Sequence, residues 1–196
     1  MRRCAVVLGM AWLLTLALGC GVTAPGPQAQ TPPAGSPVSE SGLPDLRLRS
    51  PAFAEGEAIP REYTCDGPDR SPPLRWEPPP PGARSLVLIV DDPDAPGGRF
   101  IHWVLYAIPL DRTELPEGIP REPEVEGIGK QGRNDFGRIG YGGPCPPPGP
   151  AHRYRFVLYA LDSVPDLPPG ASPAQVEQAL HGHVRAVGRL TGRYGR

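Results

Sequence analysis

The chain has 196 residues and a formal net charge of -1 at pH 7, so it has no basic excess that would favour nucleic acid as a partner. It contains 30 prolines and 25 glycines, far above average usage, which argues against a helical bundle and for turns and loops. The length favours a single folded domain.

The first segment is typical of an export signal. Arg2 and Arg3 precede an uncharged apolar run that is shorter than the roughly 20 residues of a transmembrane helix. The run ends in LALGC (16–20), which resembles the lipobox of bacterial lipoproteins, where the signal is cut before a cysteine that is then acylated. We therefore predict a signal peptide over residues 1–19 and lipidation of Cys20. The alternative is a plain signal peptide with an incidental cysteine.

Residues 20–44 have no apolar periodicity and are dominated by Pro, Gly, Ser, Ala and Gln, so they predict a flexible tether. Two acyl chains on Cys20 would give stable membrane attachment. The expected protein is exported and lipid-anchored to the bacterial cell envelope, on its periplasmic or extracellular face. Cys65 and Cys145 remain in the domain predicted over residues 45–196. In an oxidising compartment they could form a disulfide, or they could be two unpaired buried thiols.

The predicted domain has mostly β signals. Leu46–Arg49 alternates as a half-buried strand does, and Ser85–Val90 is a continuous apolar run suited to a strand covered on both faces. Ile101–Ile108 and Tyr154–Leu161 predict two further long strands, and a last short strand is predicted over Leu190–Tyr194.

One helix is predicted near the C-terminus. Ser172 can cap it, with proline at the first helical position and Gln175 at the capping-box position. Gly188 is the expected end of the helix. Four apolar residues fall on one helical face, namely Val176, Leu180, Val184 and Val187. Many strands and one late helix favour a mainly β fold, a β-sandwich with a peripheral C-terminal helix.

Strand alternation suggests where chemistry could occur. Tyr154 and His152 share a face with residues that become apolar further along their strand, and His102 is expected to share a face with Val104, Tyr106 and Ile108. Asp92 ends the Ser85 strand. One aspartate, two histidines and one tyrosine at the strand ends predict a pocket whose donors suit an anion. The alternative is that these histidines are ordinary residues at the rim of the core.

These same residues lie in long stretches that resemble the phosphatidylethanolamine-binding protein family. DDPDAPGGRFIHWVLYAIP (91–109) and GRNDFGRIGYGGPCPPPGPAHRYRFVLYALD (132–162) are similar to its two signature stretches. YTCDGPDRSPPLRW (63–76) and HVRAVGRLTGRYGR (183–196) are similar to its bacterial and archaeal branch, which includes members called Raf kinase inhibitor-like.

The resemblance implies a two-sheet antiparallel β-sandwich with a pocket for a phospholipid head group or a small anion. Carried over motif by motif, the ligand-binding residues are Asp92, Pro96, His102, Cys145, His152 and Tyr154. Asp92 is expected to orient an imidazole, while the tyrosine hydroxyl and the imidazole nitrogens donate to the ligand. No cofactor is expected.

The expected function is non-catalytic anion or head-group binding. An inhibitor or protein-interaction module, acting on a protease or another envelope partner, is the alternative. A hydrolase using Cys145 as nucleophile is a third reading, although no helix N-terminus would activate that thiol. A metal site is not expected, since Asp91, Asp92 and Asp94 lack the spacing and closing Glu of an EF-hand.

Overall fold

The computed structural model describes residues 42–196. The predicted signal peptide, the lipidation of Cys20 and nearly all of the predicted tether lie outside these residues, so they remain predictions. Within residues 42–196, no helix has both the length and the apolar character needed to span a membrane.

The described chain contains a short 3-10 helix (Arg61–Tyr63), one α-helix and eight strands. They are β1 (Leu74–Arg75), β2 (Ser85–Asp92), β3 (Phe100–Ile108), β4 (Glu114–Leu115), β5 (Glu124–Val125), β6 (Gly129–Gln131), β7 (His152–Leu161), α1 (Pro173–Leu180) and β8 (Val184–Tyr194).

Within this range, six strands form one antiparallel sheet in the order β5-β6-β3-β2-β7-β8, and β1 and β4 form a second, two-stranded antiparallel sheet. Leu74 and Leu115 of the small sheet pack into the core on one face of the large sheet. Val176 and Leu180 of α1 pack into the core on the other face. The predicted fold class, a two-sheet antiparallel β-sandwich with a peripheral C-terminal helix, is confirmed.

Strand β2 is central, and all eight of its residues are buried. Leu86 and Leu88 belong to the core under the small sheet, whereas Val87 and Ile89 belong to the core under α1. Each such side chain contributes about 1.5–3 kcal/mol when fully buried. The prediction of a strand covered on both faces is therefore confirmed.

The pairing of β2 with β3 is interrupted near the end of β2. Val90 pairs with Trp103, but Asp91 pairs with Ile101, so His102 is the extra residue of a β-bulge. A bulge leaves its extra residue without a ladder partner and changes the direction of the side chains around it.

This bulge overturns part of the predicted alternation in β3. Trp103, directly after His102, lies in the core under the small sheet, whereas Val104 and Tyr106 lie in the core under α1. The expectation that His102 shares a face with Val104 and Tyr106 was wrong, because it assumed that β3 alternates without interruption. Ile108 returns to the small-sheet side after a second register shift.

Helix α1 begins as predicted. Its N-cap is Ser172, whose hydroxyl accepts a hydrogen bond from the backbone N–H of Gln175. In return, the Gln175 side chain accepts from the backbone N–H of Ser172 at 2.9 Å. This reciprocal pair is the predicted capping box, and it satisfies two backbone donors that have no partner within the helix.

The helix ends earlier than predicted. The chain leaves α1 at His181, and Gly182 adopts a positive φ of 79° that favours glycine. Val184 and Val187, predicted on the helix, belong to β8, which starts well before the predicted Leu190–Tyr194 strand. β8 pairs with β7 along nearly its whole length, and this pairing outweighs the helical spacing of the valines.

The segment Leu46–Arg49 is not a strand, contrary to the prediction. Its neighbourhood forms only isolated bridges, from Asp45 to Val187 and from Arg49 to Arg75. Leu46 and Leu48 are nevertheless buried in the core under the small sheet. The alternation therefore reflected burial of every second side chain rather than membership of a ladder.

Candidate functional site

The end of β2 and the start of β7 lie side by side because the two strands are antiparallel. Asp92 ends β2 and His152 begins β7, and the Asp92 Oδ2 atom lies 2.7 Å from the His152 Nδ1 atom. The other carboxylate oxygen, Oδ1, accepts from the backbone N–H of Asp94 at 2.8 Å. Asp92 is only 3% exposed, so its carboxylate lies inside the protein beside the His152 imidazole. The sequence predicted that Asp92 orients an imidazole but did not indicate which of the two.

The bulge in β3 brings His102 to the same place. Its Nδ1 atom lies 2.7 Å from the carbonyl oxygen of Gly142, and the Gly142 N–H donates back to the His102 carbonyl at 2.9 Å. Burial lowers the pKa of His102, against the opposing effects of the Gly142 carbonyl and the Asp92 carboxylate. The ring meets that of Tyr154 edge to face, with centroids 5.2 Å apart.

Tyr154 is the most unusual member of the group. It is 1% exposed, and its hydroxyl has no partner in hydrogen-bonding geometry among the described residues. Burial raises the pKa of Tyr154, and the nearby Asp92 carboxylate raises it further, so the hydroxyl keeps its proton. That carboxylate acts on the hydroxyl through its charge and through hydrogen bonding, although the contact does not meet strict hydrogen-bond geometry. A buried polar group without a partner costs about 1–3 kcal/mol, which makes it a candidate ligand contact.

We call Asp92, His102, His152 and Tyr154 the strand-end cluster. The structure brings these four predicted residues together. Pro96, unlike these four residues, is exposed, and it lies in the turn between β2 and β3. Its role at the mouth of the site stays a prediction.

The backbone of Cys145 lies next to the cluster, whereas its sulfur is in a disulfide and is not a free thiol. Its side chain forms a disulfide with Cys65, with Cα atoms 5.4 Å apart, and the backbone N–H of Cys65 donates to the Pro144 carbonyl at 3.1 Å. The backbone of Cys145 lies near enough to Tyr154 to oppose the rise in that pKa. The disulfide thus fastens the segment that carries Gly142 to a distant part of the chain.

Hydrogen bonds and an ion pair also hold the same segment in place, and the sequence did not predict them. Asp69 accepts from the Gly143 N–H at 2.7 Å and pairs with Arg121, which also donates to the Tyr141 carbonyl at 2.7 Å. A Cβ at Gly143 would lie 2.4 Å from the Tyr63 carbonyl oxygen, so only glycine fits there. Asp69 lies in the 63–76 stretch, but nothing in the sequence pattern named its partner.

An aromatic rim beside His102 was also missed. Phe100 and Phe136 meet with centroids 4.7 Å apart, and each contacts the His102 ring edge to face. Phe136 is 38% exposed, and the Arg138 guanidinium lies 5.1 Å from its ring centroid. The aromatic rings cover one side of the imidazole, which explains part of its burial.

A second carboxylate lies on the opposite face of β2. Asp91 is 2% exposed and accepts two hydrogen bonds from the Arg155 guanidinium, at 2.7 and 2.8 Å. Arg99 also pairs with Asp91 and reaches Glu177 on α1. These contacts occupy both oxygens of Asp91 with fixed positive charges.

Within residues 42–196, no group of three or more His, Cys, Asp or Glu side chains is arranged to hold a metal ion. What the strand-end cluster offers is one buried carboxylate, two imidazoles and one unpaired hydroxyl. Such a set can exchange hydrogen bonds with a small polar or anionic group.

Comparison with known proteins identifies the family of this chain. The family profile described as phosphatidylethanolamine-binding protein matches residues 49–195, which include the whole cluster. A protein from Aquifex aeolicus, named only as a UPF0098 protein, is 55% identical over 154 residues, covering 77% of this chain and 89% of the relative.

A relative from Mycobacterium tuberculosis H37Rv is named "Putative lipoprotein LppC" and is 40% identical over 171 residues, covering 85% of this chain and 81% of the relative. A crystal structure from Chlamydia trachomatis, described as a homologue of phosphatidylethanolamine-binding protein, is 40% identical with a TM-score of 0.70. The match covers 78% of this chain and 98% of the chlamydial chain. This chain therefore belongs to the phosphatidylethanolamine-binding protein family.

Proposed function

We propose that the protein binds a phosphate-type anion, either free or as a phospholipid head group, at the strand-end cluster and performs no chemistry on it. The observation that carries this proposal is the buried Tyr154 hydroxyl, which keeps its proton and has no acceptor in strict hydrogen-bond geometry, with only the Asp92 carboxylate close to it. An anionic oxygen placed at this hydroxyl would satisfy it.

The surroundings of Tyr154 support an exchangeable ligand rather than a fixed structural contact. His152 is held in one orientation by Asp92, and His102 is held by the Gly142 carbonyl. Side chains whose orientation is already fixed lose little freedom when a ligand arrives, which favours binding.

The absence of catalysis is part of the proposal. The nucleophile of the hydrolase reading, Cys145, is bonded to Cys65, so its sulfur is not a thiolate in this state. The imidazoles then have no nucleophile of the expected kind to activate.

The site is proposed to act at a membrane. The LALGC stretch and the lipoprotein name of the mycobacterial relative support export and acylation of Cys20. The predicted tether over residues 20–44 would let the folded domain reach head groups near its own anchor.

Native mass spectrometry of the full chain, purified in detergent from an oxidising host, tests the proposal. We expect a co-purifying phosphate-containing ligand that Asp92→Ala and His152→Ala both remove. Asp162→Asn is the matched control, because Asp162 pairs with the His183 imidazole and with Arg185 just beyond the opposite end of β7. A ligand retained by both alanine variants would contradict the proposal, and a co-purifying protein would favour the interaction-module alternative.

A further inference from the structure

The Cys65–Cys145 disulfide lies at the surface of the folded domain, and both of its residues are exposed. A disulfide in a folded protein exchanges only when a thiolate can reach one of its sulfur atoms, so exposed disulfides are the labile ones. The groups around the two sulfur atoms differ, and that difference favours exchange in one direction.

The Arg196 guanidinium lies beside the sulfur of Cys145, with its Nη1 atom 3.9 Å from the Sγ atom. Its Nη2 atom pairs with the Asp66 carboxylate at 2.9 Å, and the Tyr194 hydroxyl donates to the other oxygen of that carboxylate at 2.7 Å. Asp66 thereby holds the guanidinium in place. A neighbouring arginine stabilises a thiolate, so Cys145 is the better leaving group when the disulfide is attacked.

The surroundings of Cys65 have the opposite charge. Asp66 follows Cys65 directly in the chain, and a carboxylate disfavours a second negative charge near it. A thiolate left on Cys65 is therefore less stable than one left on Cys145. The favoured direction is attack on the Cys65 sulfur with departure of Cys145.

Contacts other than the disulfide also join the two loops that it links. The Cys65 N–H donates to the Pro144 carbonyl at 3.1 Å, and the Tyr141 hydroxyl donates to the Tyr63 carbonyl at 2.7 Å. The Asp69 carboxylate adds a third contact between the loops. Opening of the sulfur–sulfur bond thus leaves the two loops joined, and the domain can stay folded while its disulfide is reduced.

We infer that the Cys65–Cys145 disulfide is a thiol-exchange site, opened in the folded protein by a dithiol that attacks the Cys65 sulfur. The attack forms a mixed disulfide at Cys65 and releases Cys145 as a thiolate beside Arg196. The second thiol of the reductant then attacks the reductant sulfur of the mixed disulfide, which releases Cys65 and leaves the reductant as a disulfide. Two electrons and two protons pass from the dithiol to the protein. Neither step uses a side chain that the proposed function assigns to the ligand.

Reduction of the full chain in detergent by dithiothreitol tests whether the folded protein reacts. Free thiols are counted by alkylation and mass spectrometry, at urea concentrations below the unfolding transition. Direct attack on the folded state should depend little on urea, whereas reduction that requires global unfolding accelerates steeply with it. Steep acceleration, or a reduced protein without a cooperative thermal transition, would overturn the inference.

A monothiol with a rapid quench identifies the sulfur that is attacked. With glutathione as the probe and N-ethylmaleimide as the quench, we expect glutathione on Cys65 and maleimide on Cys145, at least about threefold over the reverse. The two cysteines fall in different tryptic peptides, so mass spectrometry distinguishes them. Equal labelling, or glutathione mainly on Cys145, would contradict the inferred direction.

Arg196→Met removes the charge and nearly keeps the length of the side chain. It should slow reduction by dithiothreitol at least about threefold and abolish the preference for Cys65. Arg185→Met is the matched control and should change neither, because Arg185 lies at the opposite end of β8 and pairs with Asp162. An unchanged rate and preference in Arg196→Met would refute the role of the guanidinium.

The dithiol could be a small molecule or the active site of a redox protein, and one comparison separates these sources. Reduced thioredoxin is supplied at the same dithiol concentration as dithiothreitol. A faster reaction with thioredoxin assigns the site to a protein dithiol, and a slower one assigns it to small thiols. Failure of both to reduce the folded protein would overturn the inference and leave the proposed function standing.

Discussion

Asp91 and Asp92 are neighbours on one strand and are almost equally buried, at 2% and 3% exposure, yet their surroundings differ. On the α1 side, Asp91 is held by the guanidinium groups of Arg155 and Arg99. On the small-sheet side, Asp92 is held by one imidazole and lies near the unpaired Tyr154 hydroxyl. The first carboxylate is saturated and ties elements together, whereas the second leaves capacity for a ligand.

The largest expected effect comes from removing Asp91, the carboxylate that has the structural role. Asp91→Ala leaves the Arg155 and Arg99 guanidiniums without their buried acceptor. We expect a loss of about 3 kcal/mol in the free energy of unfolding, at the lower end for a broken buried pair because both arginines are partly exposed. Urea denaturation measures it. Phosphate affinity of the folded variant should change by less than about threefold, and a larger loss would refute the division of roles.

Tyr154→Phe should lower ligand affinity without lowering stability, which is the opposite of the effect expected for Asp91→Ala. It removes a buried hydroxyl that has no partner, so the free energy of unfolding should stay constant or rise by up to about 1 kcal/mol. Phosphate affinity should fall about tenfold, since the donor is lost. Denaturation and calorimetry on the same preparation check both, and a marked loss of stability would show that the hydroxyl is a structural contact.

The pH dependence of sulfate binding tests the His102 imidazole, because sulfate itself does not titrate. The His102 Nδ1 atom faces the Gly142 carbonyl, so the ring can donate from Nε2 to a ligand only when it is protonated. Burial lowers the pKa of His102, so sulfate affinity should rise as pH falls below the ordinary value of 6.5. A flat profile would show that His102 does not donate to the ligand.

The smallest expected effect is on the pH dependence of the stability of the ligand-free protein. Burial lowers the pKa of His102, so below its ordinary value of 6.5 the unfolded chain binds more protons than the folded one. Stability should therefore fall as pH drops from about 7 through 6.5 towards the folded-state pKa. His102→Asn should flatten this part of the profile in thermal melts, and an unchanged slope would assign it to another group.

Several features of the protein follow from short stretches of sequence. The apolar run at residues 85–90 predicted burial on both faces of β2, and Ser172 with Gln175 predicted the start of α1. These features depend on neighbours within a few residues, so the local pattern contains the information. The signature stretches likewise predicted four side chains that meet at the strand ends.

Only the tertiary structure decided how those side chains are used. The bulge at His102 depends on the register between β2 and β3, and the Gly142 carbonyl that faces its Nδ1 atom lies 40 residues away in sequence. Val184 and Val187 belong to β8 because β7 is a long strand with which they can pair. Strand register and hydrogen-bond partners are set by segments far apart in the chain, so the sequence by itself determined which residues meet, and the fold determined which of their atoms remain for a ligand.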